Sequence, residues 1–188
     1  MTFPNMITLT RILLTPVFMV CFLVPFPMGK LISLAIVVVS EISDVLDGYL
    51  ARKYNSVTNM GKLIDPLADN LFHFSAFLCF LVLGYAEIWM VAIVFYRETI
   101  VSWIRVIAAS QDKIVGARVS GKFKAWTQAM TIITVVALVA FESQGIVWVE
   151  TKKISFWFMC VVTLSTLGSG IDYFYVHWEY IKASFKEK

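Results

Sequence analysis

The chain has 188 residues, of which 59% are apolar and 15% charged, with a mean hydropathy of +0.77. Soluble domains run near 45–50% apolar and about 25% charged, so a water-soluble globule and a disordered chain are both excluded by composition. The net charge of +3 is too small to argue for nucleic acid.

Six apolar stretches follow in order. They cover roughly Met6–Phe26, Leu31–Leu50, Leu67–Tyr85, Ile88–Ala109, Ala125–Phe141 and Ile154–Val176. Each is close to the roughly 20 residues that a helix needs to cross a bilayer. The runs are continuous and not alternating, and lipid leaves only helices or closed barrels as spanning structures. The expectation is therefore an all-α, polytopic integral membrane protein with six transmembrane helices, forming one domain over residues 1–188. The N-terminus lacks a basic opening and a small-residue cleavage site, and reads as a retained first span. Cys21, Cys79 and Cys160 sit in separate apolar runs without ligand spacing and read as small buried hydrophobes.

Six crossings would put both termini on one side, with the second–third and fourth–fifth connections. That side and the span ends beside it carry 13 of the 16 basic residues, the other side only Lys30, Lys152 and Lys153. The positive-inside rule then places both termini at the cytosolic face of the cell membrane.

Ionisable groups inside apolar spans are expensive and mark function by default. They concentrate in SDVLDGYLARKYNSVTNMGKLIDPLADN, residues 43–70. At about 100° per residue, Asp44, Asp47, Gly48, Ala51 and Arg52 fall within an arc of about 140°. Gly61, Asp65 and Asp69 recur every four residues and share a face of the next helix. Pro66 either kinks that helix or sits in its first turn, with Asp65 as the cap. Insertion scales charge roughly 2.5–3.5 kcal/mol for an aspartate at mid-bilayer. Arg52 offsets one such charge, and two divalent cations would offset all four. Oxygen ligands favour magnesium, manganese or calcium over zinc. Paired metals clamp the attacking and leaving oxygens of a phosphoryl displacement. The plain alternative is a set of solvated carboxylates at helix ends.

The string Asp44-x2-Asp47-Gly48-x2-Ala51-Arg52-x8-Gly61-x3-Asp65-x3-Asp69 resembles the signature of the CDP-alcohol phosphotransferases at all eight fixed positions. The resemblance implies a six-span fold, a homodimer and a cytosol-facing site with two divalent cations, Mg2+ or Mn2+. It implies that Asp44, Asp47, Asp65 and Asp69 bind metal and that Asp69 is also the catalytic base. Gly48, Ala51, Arg52, Thr58 and Gly61, with Asn5 and Thr8, would border the CDP-diacylglycerol donor. Asn5 and Thr8 read equally well as caps of the first helix.

Further matches resemble the bacterial branch of the family that uses glycerol 3-phosphate. They are Pro4-Asn5-x2-Thr8-x2-Arg11-x4-Pro16, Arg97-Glu98-x6-Arg105, Gly121-Lys122-x-Lys124 and residues 169–175. One departure is Asn70, where that branch commonly has lysine. The implied reaction moves a phosphatidyl group from CDP-diacylglycerol to sn-glycerol 3-phosphate, giving phosphatidylglycerophosphate and CMP. The acceptor's phosphate needs cations, and Arg97, Arg105 and Lys122 are the candidates, since guanidinium pairs with phosphate through two donors. Glu98 and Arg105 lie on one stripe, so Glu98 reads as a support for Arg105. Lys124 reads as ordinary cytosolic charge. His73 reads as a packed or hydrogen-bonded histidine, Glu41 as a support near Asp44, and Gly168–Ser169–Gly170 as a close-packing patch. Two other readings stay open: inositol phosphate or another alcohol as acceptor, and a divalent-cation transporter.

Overall fold

In the computed structural model the described residues form six α-helices: α1 (Phe3–Leu23), α2 (Gly29–Lys53), α3 (Asn59–Val82), α4 (Ile88–Ser110), α5 (Val119–Ser143) and α6 (Thr151–Ser184). The structure describes the backbone of residues 3–26, 28–53, 59–110, 119–146 and 150–184. It describes the side chains of residues 8–26, 28–44, 67–104, 119–146, 150–176 and 178. Among the described residues there is no strand. Each apolar stretch lies within or nearly within one helix, and the helices run past it. The largest difference is in α3, which begins at Asn59 and so carries Pro66 well inside it. Asp65 is therefore not an N-cap, and the first-turn reading of Pro66 is corrected.

The helix ends follow from local chemistry. Gly84 and Gly145 adopt φ of 74° and 80°, the left-handed region that a Cβ disfavours. After α3, Tyr85 N–H donates to Phe80 O and Gly84 N–H to Leu81 O. After α5, Ile146 N–H donates to Phe141 O and Gly145 N–H to Glu142 O. Both pairs close a Schellman motif, which satisfies carbonyls left without a helical partner.

Packing groups the helices around α1 and α6. α1 lies against α2 and α3, α6 against α4 and α5, and α2 against α5. Phe18 and Phe22 of α1 interleave with Phe72 and Phe80 of α3, with ring centroids 5.4 Å (Phe18–Phe72) and 5.9 Å (Phe22–Phe80) apart. All four rings are buried. In lipid this contact stabilises through close packing, because hydrocarbon removes the drive to leave water. Buried hydroxyls of Thr15, Ser33, Ser155 and Thr163 each donate to the carbonyl four residues back, so these four are paired within their own helices.

The outward faces are apolar. Leu13, Val20, Leu164 and Ile171 are all more than half exposed, a surface that a soluble monomer rarely presents over such lengths. Residues Val119–Ser143 and Thr151–Val176 are long and apolar enough to cross a membrane, and Thr8–Leu23 and Leu67–Val82 are shorter apolar helices. Cys21 and Cys79 are buried and Cys160 is partly buried, all as free thiols.

Candidate active site: two charged poles

The stripe that zips α1 to α3 ends in charge. Arg11, Thr15, Phe18 and Phe22 follow i, i+4, i+7, i+11 on one face of α1, and Asp69, Phe72, Ala76 and Phe80 follow a matching course on α3. The same packing that pairs the phenylalanines therefore brings Arg11 to Asp69. Arg11 Nη1 donates to Asp69 Oδ1 at 2.6 Å and lies 2.8 Å from Asp44 Oδ1 on α2. The arginine side chain is 5% exposed, those of Asp44 and Asp69 42% and 37%. A buried guanidinium thus holds two carboxylates from two helices that open toward solvent. Among the described residues, one positive charge here faces two negative charges.

Asp47 lies one turn further along α2 and Asp65 one turn back along α3, both toward the α2–α3 connection. Their side chains, and those of Asn5, Gly48, Ala51, Arg52, Thr58, Gly61 and Arg105, lie outside the described residues. Thr8 is fully buried on α1. Among the described residues the counter-charge that sequence reasoning assigned to Arg52 comes from Arg11. Arg11 was noted only as part of a motif. The signal for it was available: it is a charge four and seven residues from Thr15 and Phe18, inside an apolar helix. One turn deeper, His73 Nε2 pairs with Glu41 Oε1 at 3.1 Å, so the expectation of a hydrogen-bonded His73 holds.

The second pole has the opposite composition. Glu98 on α4 receives Arg97 Nη1, 3.2 Å from each carboxylate oxygen, and Lys124 of α5. Arg97 Nη2 donates to Ser169 Oγ of α6 at 2.7 Å. Arg97 Nε is buried without a hydrogen-bond partner among the described residues. Two cations thus share one acid, with a donor left over. Beside them Thr127 and Ser165 bond at 2.8 Å, and Ser120 donates to Asp172.

Three expectations meet the structure here. Glu98 supports Arg97 and Lys124, and the Arg105 side chain that it was expected to support lies outside the described residues. Lys124, read as ordinary cytosolic charge, is 7% exposed and turned into the bundle. Lys122, the residue put forward, is exposed. Lys124 heads the buried polar stripe Thr127, Gln128, Thr131 of α5, and Lys122 lies about 200° away from it around the helix.

A cavity of about 510 Å³ between α3 and α4 joins the surroundings of the poles. Asn70 and His73 line its α3 side, Glu98 and Ser102 its α4 side, and Gln128 of α5 closes it. Asn70 is the neighbour of Asp69, and Glu98 is the hub of the second pole.

The fold and site together define an all-helical, membrane-associated protein whose charged side chains gather in two clusters, one built on Arg11 and one on Glu98. The sequence model of the CDP-alcohol phosphatidyltransferases matches residues 1–165, and the chain belongs to that family. It is 36% identical to a Bacillus subtilis protein over 96% of this chain and 97% of the relative. It is 34% identical to a Salmonella typhimurium protein over 90% of this chain and 91% of the relative, and 29% identical to one from Pseudomonas fluorescens over 97% and 93%. All three are named CDP-diacylglycerol–glycerol-3-phosphate 3-phosphatidyltransferase.

Proposed function

We propose that the chain transfers a phosphatidyl group from CDP-diacylglycerol to sn-glycerol 3-phosphate, giving phosphatidylglycerophosphate and CMP. The reading rests on family membership and on the names of relatives that match nearly end to end. The observation that carries it is the convergence of the Asp44 and Asp69 carboxylates, from different helices, on the single Nη1 atom of Arg11. Oxygens already gathered on one positive charge suit hard cations. Asp44, Asp47, Asp65 and Asp69 would hold two divalent cations, Mg2+ or Mn2+, which supply Lewis-acid neutralisation of the donor's pyrophosphate.

This chain's own groups do the rest. Asp69 takes the proton of the acceptor hydroxyl on a carboxylate oxygen, and its Oδ1 is turned to Arg11. The freed alkoxide oxygen bonds to the phosphatidyl phosphorus as the bond to the CMP oxygen breaks. Asn5, Thr8, Gly48, Ala51, Arg52, Thr58 and Gly61 border the nucleotide-bearing donor, whose acyl chains stay in lipid. Arg97, with its unspent Nε, receives the acceptor's phosphate, joined by Arg105, Lys124 and the exposed Lys122. Helices that hold both substrates in line lower the barrier by several kcal/mol, about 7–11 at the limit. The same reading has six crossings, a homodimer, and both termini and the acid pole at the cytosolic face of the cell membrane, supported by the bias of basic residues.

CMP release from purified protein with CDP-diacylglycerol and a panel of alcohols is the test. Release with glycerol 3-phosphate, and far less with inositol phosphate or serine, is expected. Release only with another alcohol overturns the acceptor, and cation flux without CMP overturns the reaction.

A further inference from the structure

The two helices that carry the acids meet, among the described residues, through side chains only. Among the described residues α2 lies on α1 and α5, and α3 lies on α1 and more lightly on α4 and α5, with no direct α2–α3 packing. Asp44 and Asp69 are nonetheless side by side. Two side-chain links account for that. The first passes through a third helix, by way of Arg11. The second is direct: Glu41 Oε1 of α2 to His73 Nε2 of α3, at 3.1 Å.

The two links differ in what a cation would do to them. Arg11 Nη1 bonds the same Oδ1 atoms of Asp44 and Asp69 that face each other. A cation drawn to those oxygens competes with Arg11, so the guanidinium is a poor fixed spacer. Glu41 and His73 sit three and four residues from Asp44 and Asp69, one turn away, and share no atom with the acids. Their side chains are 20% and 17% exposed, so water competes weakly for the bond. A directional bond also helps to fix register along the helices.

We infer that Glu41 and His73 form a strut that spaces α2 and α3, and so sets how tightly the acid pole holds divalent cations. They act as positioning residues through Asp44 and Asp69, and the inference rests on the two-cation reading above.

The test measures Mn2+ binding without substrate, by electron paramagnetic resonance of free Mn2+, on the full chain in detergent, alongside the Mn2+ dependence of CMP release. His73→Leu is the decisive variant, because it removes no negative charge that draws the cation, and Glu41→Leu, which leaves the imidazole in place, separates spacing from direct ligation by His73. His73→Leu is expected to weaken Mn2+ roughly tenfold, the low end for residues that support metal ligands. CMP release at saturating Mn2+ should stay within about threefold of wild type, with the KM for CDP-diacylglycerol unchanged. Glu41→Leu/His73→Leu should be no worse than the worse single variant, since the two act as one link. Glu41→Gln, which keeps an acceptor oxygen in place, should bind Mn2+ more tightly than Glu41→Leu. Where a leucine variant fails to fold, Glu41→Asp withdraws the oxygen by one methylene at constant charge and should weaken Mn2+ in the same direction. A lower melting temperature with unchanged Mn2+ binding, or singles that simply add, overturns the strut. Wild-type protein that neither binds Mn2+ nor releases CMP overturns the two-cation reading itself.

Discussion

At the α1–α3 end of the bundle one cation sits between two acids. At the α4–α6 end one acid sits between two cations. Among the described residues each cluster is organised on one side chain of the opposite sign, the buried Arg11 and the partly exposed Glu98. A buried ion pair with no surplus gives little net stability and has nothing left to offer a ligand. The opposite arrangement of the two clusters fits the two partners of the proposed reaction, a cation-bridged donor and an anionic acceptor.

The largest expected effect comes from spoiling the acid pole. Asp69→Asn removes the base and one cation ligand while keeping shape, and should lower CMP release by at least about a thousandfold. The protein should still fold, because Asn accepts from Arg11 through its amide oxygen. Retention of more than a tenth of wild-type turnover would take Asp69 out of the chemistry.

Glu98→Gln tests the other pole by removing the acid that two cations share. A charge left buried without its partner destabilises by about 3–5 kcal/mol. In a chain of this length about 3 kcal/mol corresponds to a fall of roughly 6–12 °C in melting temperature. Tryptophan fluorescence during heating in detergent would report it. The matching change at the acid pole, Arg11→Gln, should cost less, since Asp44 and Asp69 are more than a third exposed and water screens what is left. An Arg11 variant less stable than Glu98→Gln would reverse the ranking.

Lys124 and Lys122 sharpen the comparison within the basic pole. Lys124→Ala should raise the KM for glycerol 3-phosphate about tenfold or more, leaving the KM for CDP-diacylglycerol within about twofold. Lys122→Ala should change either by less than about threefold, because an exposed lysine adds a screened charge. Steady-state kinetics on both variants decides it, and equal effects would put Lys122 on a par with Lys124.

What was readable in the sequence follows from how local each signal is. Six helices are written in runs of apolar residues, and the acid cluster in fixed gaps of three and four. Arg11, Glu98 and Lys124 were missed or misassigned because their meaning is a distance across the bundle: 58 positions separate Arg11 from Asp69, and 26 separate Lys124 from Glu98. Pro66 was left open for another reason. Proline is tolerated in the first turn of a helix and disfavoured inside it, so local rules allowed both a first-turn and an interior place. The helix from Asn59 carries it inside.

The smallest effect concerns how closely the basic pole is packed. The Gly168–Ser169–Gly170 patch was read as one packing device, and its glycines differ. A Cβ on Gly170 would stand 3.1 Å from Arg97 Cγ, whereas one on Gly168 would meet nothing within 4 Å. Gly170→Ala therefore has to displace the stem of Arg97 by a few tenths of an ångström, and with it the guanidinium held by Ser169 and Glu98. It should cost about 1 kcal/mol, the low end for overpacking, and raise the KM for glycerol 3-phosphate two- to threefold. Gly168→Ala fills open space on a helix where alanine outranks glycine, and should stabilise by about 0.4–1 kcal/mol with no change in KM. Melting curves and acceptor titrations on the pair would separate them. Identical behaviour would mean that Arg97 is not held by close packing against α6, and that its place depends on Glu98 and Ser169 alone.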